Sequence, residues 1–273
     1  MNDSPTGIFD SGMGGLTVMR ALMQRLPHER FLYLGDTARL PYGTKSGDTV
    51  ARYALQAAGA LIERRIKLLV IACNTASAYG LPALHAEFPD IPIIGVIEPG
   101  AEAAVAVARQ GPIAVIATEG TVKGGAYVQA ITARAPDTLV LQQACSLFVP
   151  LAEEGLMDGE IANAVARHYL VPLRKQNPKC LVLGCTHFPV LKDTIAEIMG
   201  AEIVLVDSAA TTAAAVETEL TRRRLSSRAA IGTAIAQSHR YLVTDAPERF
   251  ARVGEIFLGA PISPDSVELI DLR

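Results

Sequence analysis

Between residues 181 and 189 the chain runs Leu-Val-Leu-Gly-Cys-Thr-His-Phe-Pro. Leu181, Val182 and Leu183 form a short apolar run, the mark of a buried strand. Gly184 ends the run, and Pro189 suits the first turn of a helix, where its missing N–H costs nothing. Cys185, Thr186 and His187 are therefore expected at the C-terminal end of a strand, facing a helix N-terminus. In open α/β sheets ligands bind at that edge.

The stretch has a twin. Leu68-Leu69-Val70-Ile71-Ala72 leads into Cys73-Asn74-Thr75-Ala76-Ser77, again an apolar run, a cysteine, then hydroxyl and amide residues before a helix. Cys73 and Cys185 lie 112 residues apart, and the turns ending at Gly12 and Gly120 lie 108 apart. Leu139-Val140-Leu141 answers Phe31-Leu32-Tyr33-Leu34 at a similar interval. A repeat this long is no solenoid. It predicts two similar lobes with a thiol on each side of a cleft.

The rest of the chain alternates strands and helices, which implies mostly parallel sheets. Gly7-Ile8-Phe9 reads as a strand ending in Asp10-Ser11-Gly12-Met13-Gly14-Gly15, and Leu16, Met19, Leu22, Met23 and Leu26 recur at helical spacing. The glycine spacing is not that of a dinucleotide fingerprint. A helix is expected from Ser46 to Arg65, a strand over Ile91–Ile97, helices over Phe148–Leu156 and Glu160–Leu173, and a helix over Ala209–Arg224. The helix after Cys73 contains Pro82, a residue that shortens or kinks helices. The tail, with a strand near Tyr241–Val243 and a helix near Ala246–Phe257, is expected to return to the first lobe. The predicted fold is α/β, with two pseudo-symmetric three-layer α/β lobes. Residues 1–98 with 208–273 make the first lobe and 99–207 the second, with an active site in the cleft between them.

The composition narrows the function. The 273 residues are 50% hydrophobic and 19% charged, enough for a sizeable core, with a net charge of −3. That balance gives no electrostatic case for nucleic acid or an anionic membrane. No apolar run reaches the roughly 18 residues of a spanning helix. Met1-Asn2-Asp3-Ser4-Pro5 lacks a basic region followed by an apolar one, so no signal peptide is expected and the cytoplasm is the expected compartment. The four cysteines, Cys73, Cys145, Cys180 and Cys185, are expected as free thiols there. Their spacing with His187 fits no zinc pattern, so no metal is expected.

A cysteine after an apolar strand is usually core. Two at matched places in a repeat favour function, whereas Cys145 and Cys180 have no match and read as structural. Asp10, Ser11, Asn74, Thr75, Thr118, Thr121 and Thr186 are ordinary capping types. Yet several helix N-termini converging on one cleft would bind a small dianion without arginine. His187, two residues from Cys185, can place a proton or tune a thiol. Glu153 and Glu154 read by themselves as a solvated helix face.

Four segments, taken together and in order, resemble glutamate racemase of the aspartate/glutamate racemase family: Gly7-Ile8-Phe9-Asp10-Ser11-Gly12-Met13-Gly14-Gly15-Leu16, Gly35-Asp36-Thr37-Ala38-Arg39-Leu40-Pro41-Tyr42-Gly43, Ala72-Cys73-Asn74-Thr75-Ala76 and Leu183-Gly184-Cys185-Thr186-His187-Phe188-Pro189. The resemblance runs over nearly the whole chain. It implies Cys73 and Cys185 as catalytic acid/bases, assisted by Asp10, His187 and Glu153. It implies substrate contacts from Asp10, Ser11, Pro41, Tyr42, Gly43, Asn74, Thr75, Thr118, Thr121, Thr186 and His187. The implied activity is cofactor-independent interconversion of L- and D-glutamate, supplying peptidoglycan, with a second copy of the chain, in a homodimer, as the one protein partner considered. Activation by a cell-wall precursor at a long N-terminal extension is not expected.

Such chemistry needs two bases. One must take the α-proton from one face while the other returns a proton to the opposite face. Pyridoxal phosphate is the other route to the carbanion, but it needs a Schiff-base lysine, for which only Lys123 could be nominated. Competing readings are a racemase of aspartate or another amino acid, a non-catalytic two-lobed binding protein, and a cysteine hydrolase. The hydrolase is disfavoured because Cys185 and His187, two apart on a strand end, look awkward as a nucleophile–base pair.

Overall fold

Short apolar runs bounded by glycine and polar residues become strands whose alternate side chains enter two helical layers. A computed structural model of the chain describes residues 4–109, 111–227 and 239–272, so the N-terminal reading falls partly outside the described residues. In chain order, β1 (Thr6–Asp10), β2 (Phe31–Gly35), β3 (Leu68–Ile71) and β4 (Ile93–Gly95) belong to one sheet. A second sheet holds β5 (Ile113–Ala117), β6 (Val140–Ala144), β7 (Cys180–Gly184) and β8 (Val204–Asp207). Then β9 (Arg240–Val243) and β10 (Val267–Leu269) return to the first sheet. The strand orders are β10-β9-β2-β1-β3-β4 and β6-β5-β7-β8, and every pairing is parallel. The run β2-β1-β3-β4 repeats β6-β5-β7-β8 position for position, so the duplication seen as a sequence interval is also a duplication of topology.

Helices α1 (Leu16–Arg25), α2 (Gly47–Glu63), α3 (Asn74–Glu87) and α4 (Ile97–Ala108) alternate with the first strands. After them come α5 (Glu119–Gly124), α6 (Ala126–Arg134), α7 (Phe148–Glu153), α8 (Gly159–Arg174), α9 (Lys192–Met199), α10 (Ser208–Arg222) and α11 (Pro247–Leu258). Along β3, Leu68 and Val70 enter a central core that also contains Val115 and Val182 of the second sheet and Val216 and Phe250 of α10 and α11. Leu69, Ile71 and Cys73 face a separate cluster under α2 and α3. The same alternation along β7 sends Val182 inward and Leu181 and Leu183 to a third cluster with Phe148, Leu170 and Ile195, which Cys185 joins just past the strand end. The two cysteines thus occupy equivalent places in the two halves, each on the outer face of its own sheet.

The structure corrects several local expectations. The strand expected over Ile91–Ile97 is only three residues long, and Ile97 already belongs to α4. Pro82 does not shorten α3, which continues to Glu87. Helix α7 stops at Glu153, where Glu154 leaves helical geometry and Gly155 takes a positive φ of 71°. Strand β10 adds to the expected tail: Val267-Glu268-Leu269 alternates as a strand does, but three residues are too few to read as one from sequence.

Candidate active site

Four strand ends meet. β1 delivers Asp10 and Ser11, and neighbouring β3 delivers Cys73. In the other sheet the equivalent neighbours β5 and β7 deliver Thr118 and Cys185. In each sheet these are the adjacent strands at which the order of connection reverses, the usual ligand crevice of a doubly wound sheet.

Cys73 is the N-cap of α3, and its sulfur accepts the Ala76 N–H at 3.4 Å. Its S–H donates to Ser11 Oγ at 3.5 Å. Burial pushes the thiol up to about 12; Asp10 and Cys185 add to the rise, and the Ala76 and Ser11 contacts oppose it. Cys73 is therefore held as a thiol in this closed arrangement. Asp10 is fully buried and accepts the Gly12 N–H at 2.9 Å. Burial raises its pKa, against the lowering effect of His187 and of nearby backbone N–H groups.

On the opposite wall Cys185 Sγ lies 3.8 Å from His187 Nδ1. His187 Nε2 lies 3.2 Å from Glu153 Oε1, and Glu153 Oε2 accepts from Arg249 at 3.0 Å. Burial disfavours the imidazolium, but the contacts with Cys185 and Glu153 outweigh it and carry the His187 pKa up to about 10. Burial likewise works against the Glu153 carboxylate, yet His187 and Arg249 together hold its pKa below the ordinary value. Two residues apart, Cys185 and His187 stand side by side. The strand ends at Gly184, so the strict alternation of faces no longer applies to residues 185–187.

A turn can approach this pair only because Gly14 has no side chain. A Cβ there would stand 2.4 Å from His187 Nδ1 and 2.6 Å from Thr186 Oγ1. Thr17 Oγ1 donates to the Thr186 carbonyl at 2.8 Å, which stitches α1 to the second half. The hydroxyls of Thr75, Thr118 and Thr121 form a triangle with edges of 3.0–3.1 Å across the two halves.

Cys73, Cys185 and His187 line one cavity together with Ser11, Pro41, Tyr42, Gly43, Asn74, Thr75, Thr118 and Thr186. Its volume is about 30 Å³, on the order of one or two water molecules, so an amino acid enters only if the walls part. Asp10, Thr121 and Glu153 stand behind the wall, each touching a residue that lines it. Val149, Tyr127 and Arg249 are further participants that sequence patterns did not single out. Cys180 points into the central core and donates to the Ala104 carbonyl, away from Cys185. Lys123 lies on the surface, paired with Glu119 at 3.3 Å. Among the described residues, no group of three or more His, Cys, Asp or Glu is placed to hold a metal, and no helix is long and apolar enough to cross a membrane.

Comparison with known proteins agrees with this geometry. The family model for Asp/Glu/hydantoin racemases matches residues 15–216. A glutamate racemase of Geobacter metallireducens is 52% identical over 256 residues, 94% of this chain and 93% of its own. One from Syntrophus aciditrophicus is 45% identical over 93% of both chains. The crystal structure of a Francisella tularensis glutamate racemase in complex with D-glutamate superposes with a TM-score of 0.91 at 36% identity, covering 100% of this chain and 99% of that one. The fold, the paired strand ends and this similarity lead to one assignment: the chain belongs to the glutamate racemase family.

Proposed function

We propose that the protein interconverts L- and D-glutamate, with Cys73 and Cys185 exchanging protons on opposite faces of the α-carbon. The observation that carries this reading is the presence of both thiols, from matched strand ends, on the walls of one cavity. Residues 1–98 with 208–273 form one lobe and 99–207 the other, and substrate enters as the lobes separate.

The chain's own groups supply what the reaction needs. The N-terminus of α3 and the Thr75–Thr118–Thr121 hydroxyls offer neutral donors to a carboxylate. Cys73 begins as a thiol, and the ammonium group of a bound amino acid offsets the Asp10 charge beside it. His187 sits within reach of Cys185 to share a proton, and Glu153 fixes which ring nitrogen faces the sulfur. The α-carbon is a far weaker acid than a thiol, and each unit of mismatch is about 1.36 kcal/mol. General base catalysis supplies about 10²–10⁴-fold, so closure around the carbanion, with fixed dipoles and little water, must supply the rest.

D-Glutamate so formed serves peptidoglycan synthesis in the cytoplasm. A homodimer is a separate proposal, tested by light scattering of the purified chain. The activity is tested by following the circular dichroism of L-glutamate with no cofactor added, beside L-aspartate. Decay of the glutamate signal to zero supports the reading. Faster decay for aspartate, or no decay with ligand bound, refutes it.

A further inference from the structure

The turn over residues 10–15 brings Ser11 to Cys73 and Gly14 to His187, so its shape bears on both bases. At its centre is Gly12, which is buried. The Gly12 N–H donates to Asp10 Oδ2 at 2.9 Å, and the Gly12 carbonyl accepts the Tyr33 hydroxyl at 3.0 Å. A carbonyl only accepts, so the phenol must be the donor here. Burial, then Asp10 and Cys73, push the phenol's pKa well above its ordinary value, which keeps the proton in place. Tyr33 is fully buried on β2, and its ring packs against Phe250 of α11 and Tyr241 of β9, with centroids 5.8 and 6.3 Å away. The C-terminal return of the chain thus forms the bed on which the phenol lies. Two glycines let the turn close on the hydroxyl. A Cβ on Gly15 would stand 2.8 Å from the Asp10 carboxyl carbon and 2.9 Å from the Tyr33 hydroxyl, and one on Gly35 would strike the Gly12 carbonyl.

We propose that Tyr33 is a positioning residue for the Cys73 half of the reaction: its hydroxyl fixes Gly12, and through Gly12 the Asp10 carboxylate and the Ser11 hydroxyl that accepts from the thiol. Gly14 is held separately, because its carbonyl accepts the Thr17 N–H at 3.0 Å. Loss of the Tyr33 hydroxyl therefore loosens the Asp10–Ser11 side of the turn and leaves the Gly14–His187 side in place. The inference deepens the glutamate racemase reading and rests on it.

Tyr33→Phe removes only the hydroxyl and leaves a buried carbonyl without its donor. L- and D-glutamate have equal free energy in solution, so kcat/KM must fall by the same factor with either, about tenfold. The base that suffers is revealed by the primary isotope effect on kcat/KM, measured with α-deuterated L- and D-glutamate. The effect rises for the enantiomer whose proton Cys73 removes, because that transfer becomes limiting. It falls for the other enantiomer, because return of a solvent-derived proton from Cys73 then limits the rate. His187→Asn disturbs the contact with Cys185 and serves as the reference, shifting the two effects in the opposite sense. Gly15→Ala presses a methyl on Asp10 and the phenol and shifts them in the same sense as Tyr33→Phe. Isotope effects are ratios and do not depend on how much of a variant folds. Isotope effects that stay at the wild-type values in Tyr33→Phe, that move together for both enantiomers, or that shift as in His187→Asn overturn the proposal. Failure of the wild-type protein to racemise glutamate is a different result and strikes the activity itself.

Discussion

Replacing Glu153 with glutamine removes one charge from a chain of contacts running from Cys185 through His187 and Glu153 to Arg249. The Glu153 side chain is only 13% exposed, so solvent screens little of its effect on His187. Burial alone would hold the imidazole neutral, and the contacts with Cys185 and Glu153 reverse that, to about 10. A hydrogen bond between charged partners contributes about 1.5–3 kcal/mol. At about 1.36 kcal/mol per pKa unit, Glu153→Gln should move the His187 transition down by roughly one to two pH units. The assay is an NMR titration of ¹³C-labelled histidine, with the alkaline limb of kcat/KM followed in parallel. The sign also fixes stability. A histidine whose folded pKa exceeds its unfolded value of about 6.5 stabilises the fold fully below that pH. The contribution then fades as pH rises toward about 10. Glu153→Gln should shrink this contribution and bring its loss to lower pH. A His187 titration near 10 in both proteins would refute the coupling.

Cys73→Ala and Cys185→Ala should each abolish racemisation while calorimetry still detects glutamate binding; full activity in either variant would remove the two-base scheme. Gly14→Ala drives a methyl to within 2.4 Å of His187 Nδ1 and should displace the ring. Overpacking of this kind costs about 1–3 kcal/mol, so the melting temperature should fall by about 3–10 °C, together with a loss of activity of at least about tenfold.

The parts of the molecule legible from sequence are those in which chemistry follows an apolar strand directly. The cysteines show themselves because a thiol, an amide and hydroxyls crowd the few residues after Ile71 and Leu183, and because the pattern repeats at a fixed interval. The parallel sheets follow from alternating strands and helices. Tyr127 and Arg249 escape notice for a physical reason. Tyr127 reads as one more residue of the face of α6 that it shares with buried Ala130 and Ile131, and Arg249 as a charge on a surface helix, and each reaches the site only by a contact between halves of the chain. Glu153 reads as a solvated helix face until His187 and Arg249 are seen beside it. Pro82 misleads because a proline penalty judged locally is overridden when the helix packs on both sides.

The central claim is that two sulfurs act on opposite faces of one α-carbon. The direct measurement is racemisation of L-glutamate in deuterium oxide, stopped after a small fraction has turned over. The account predicts deuterium at the α-position of the D-glutamate formed and none in the recovered L-glutamate. Equal deuterium in both enantiomers, or D-glutamate that keeps the original proton, would contradict it.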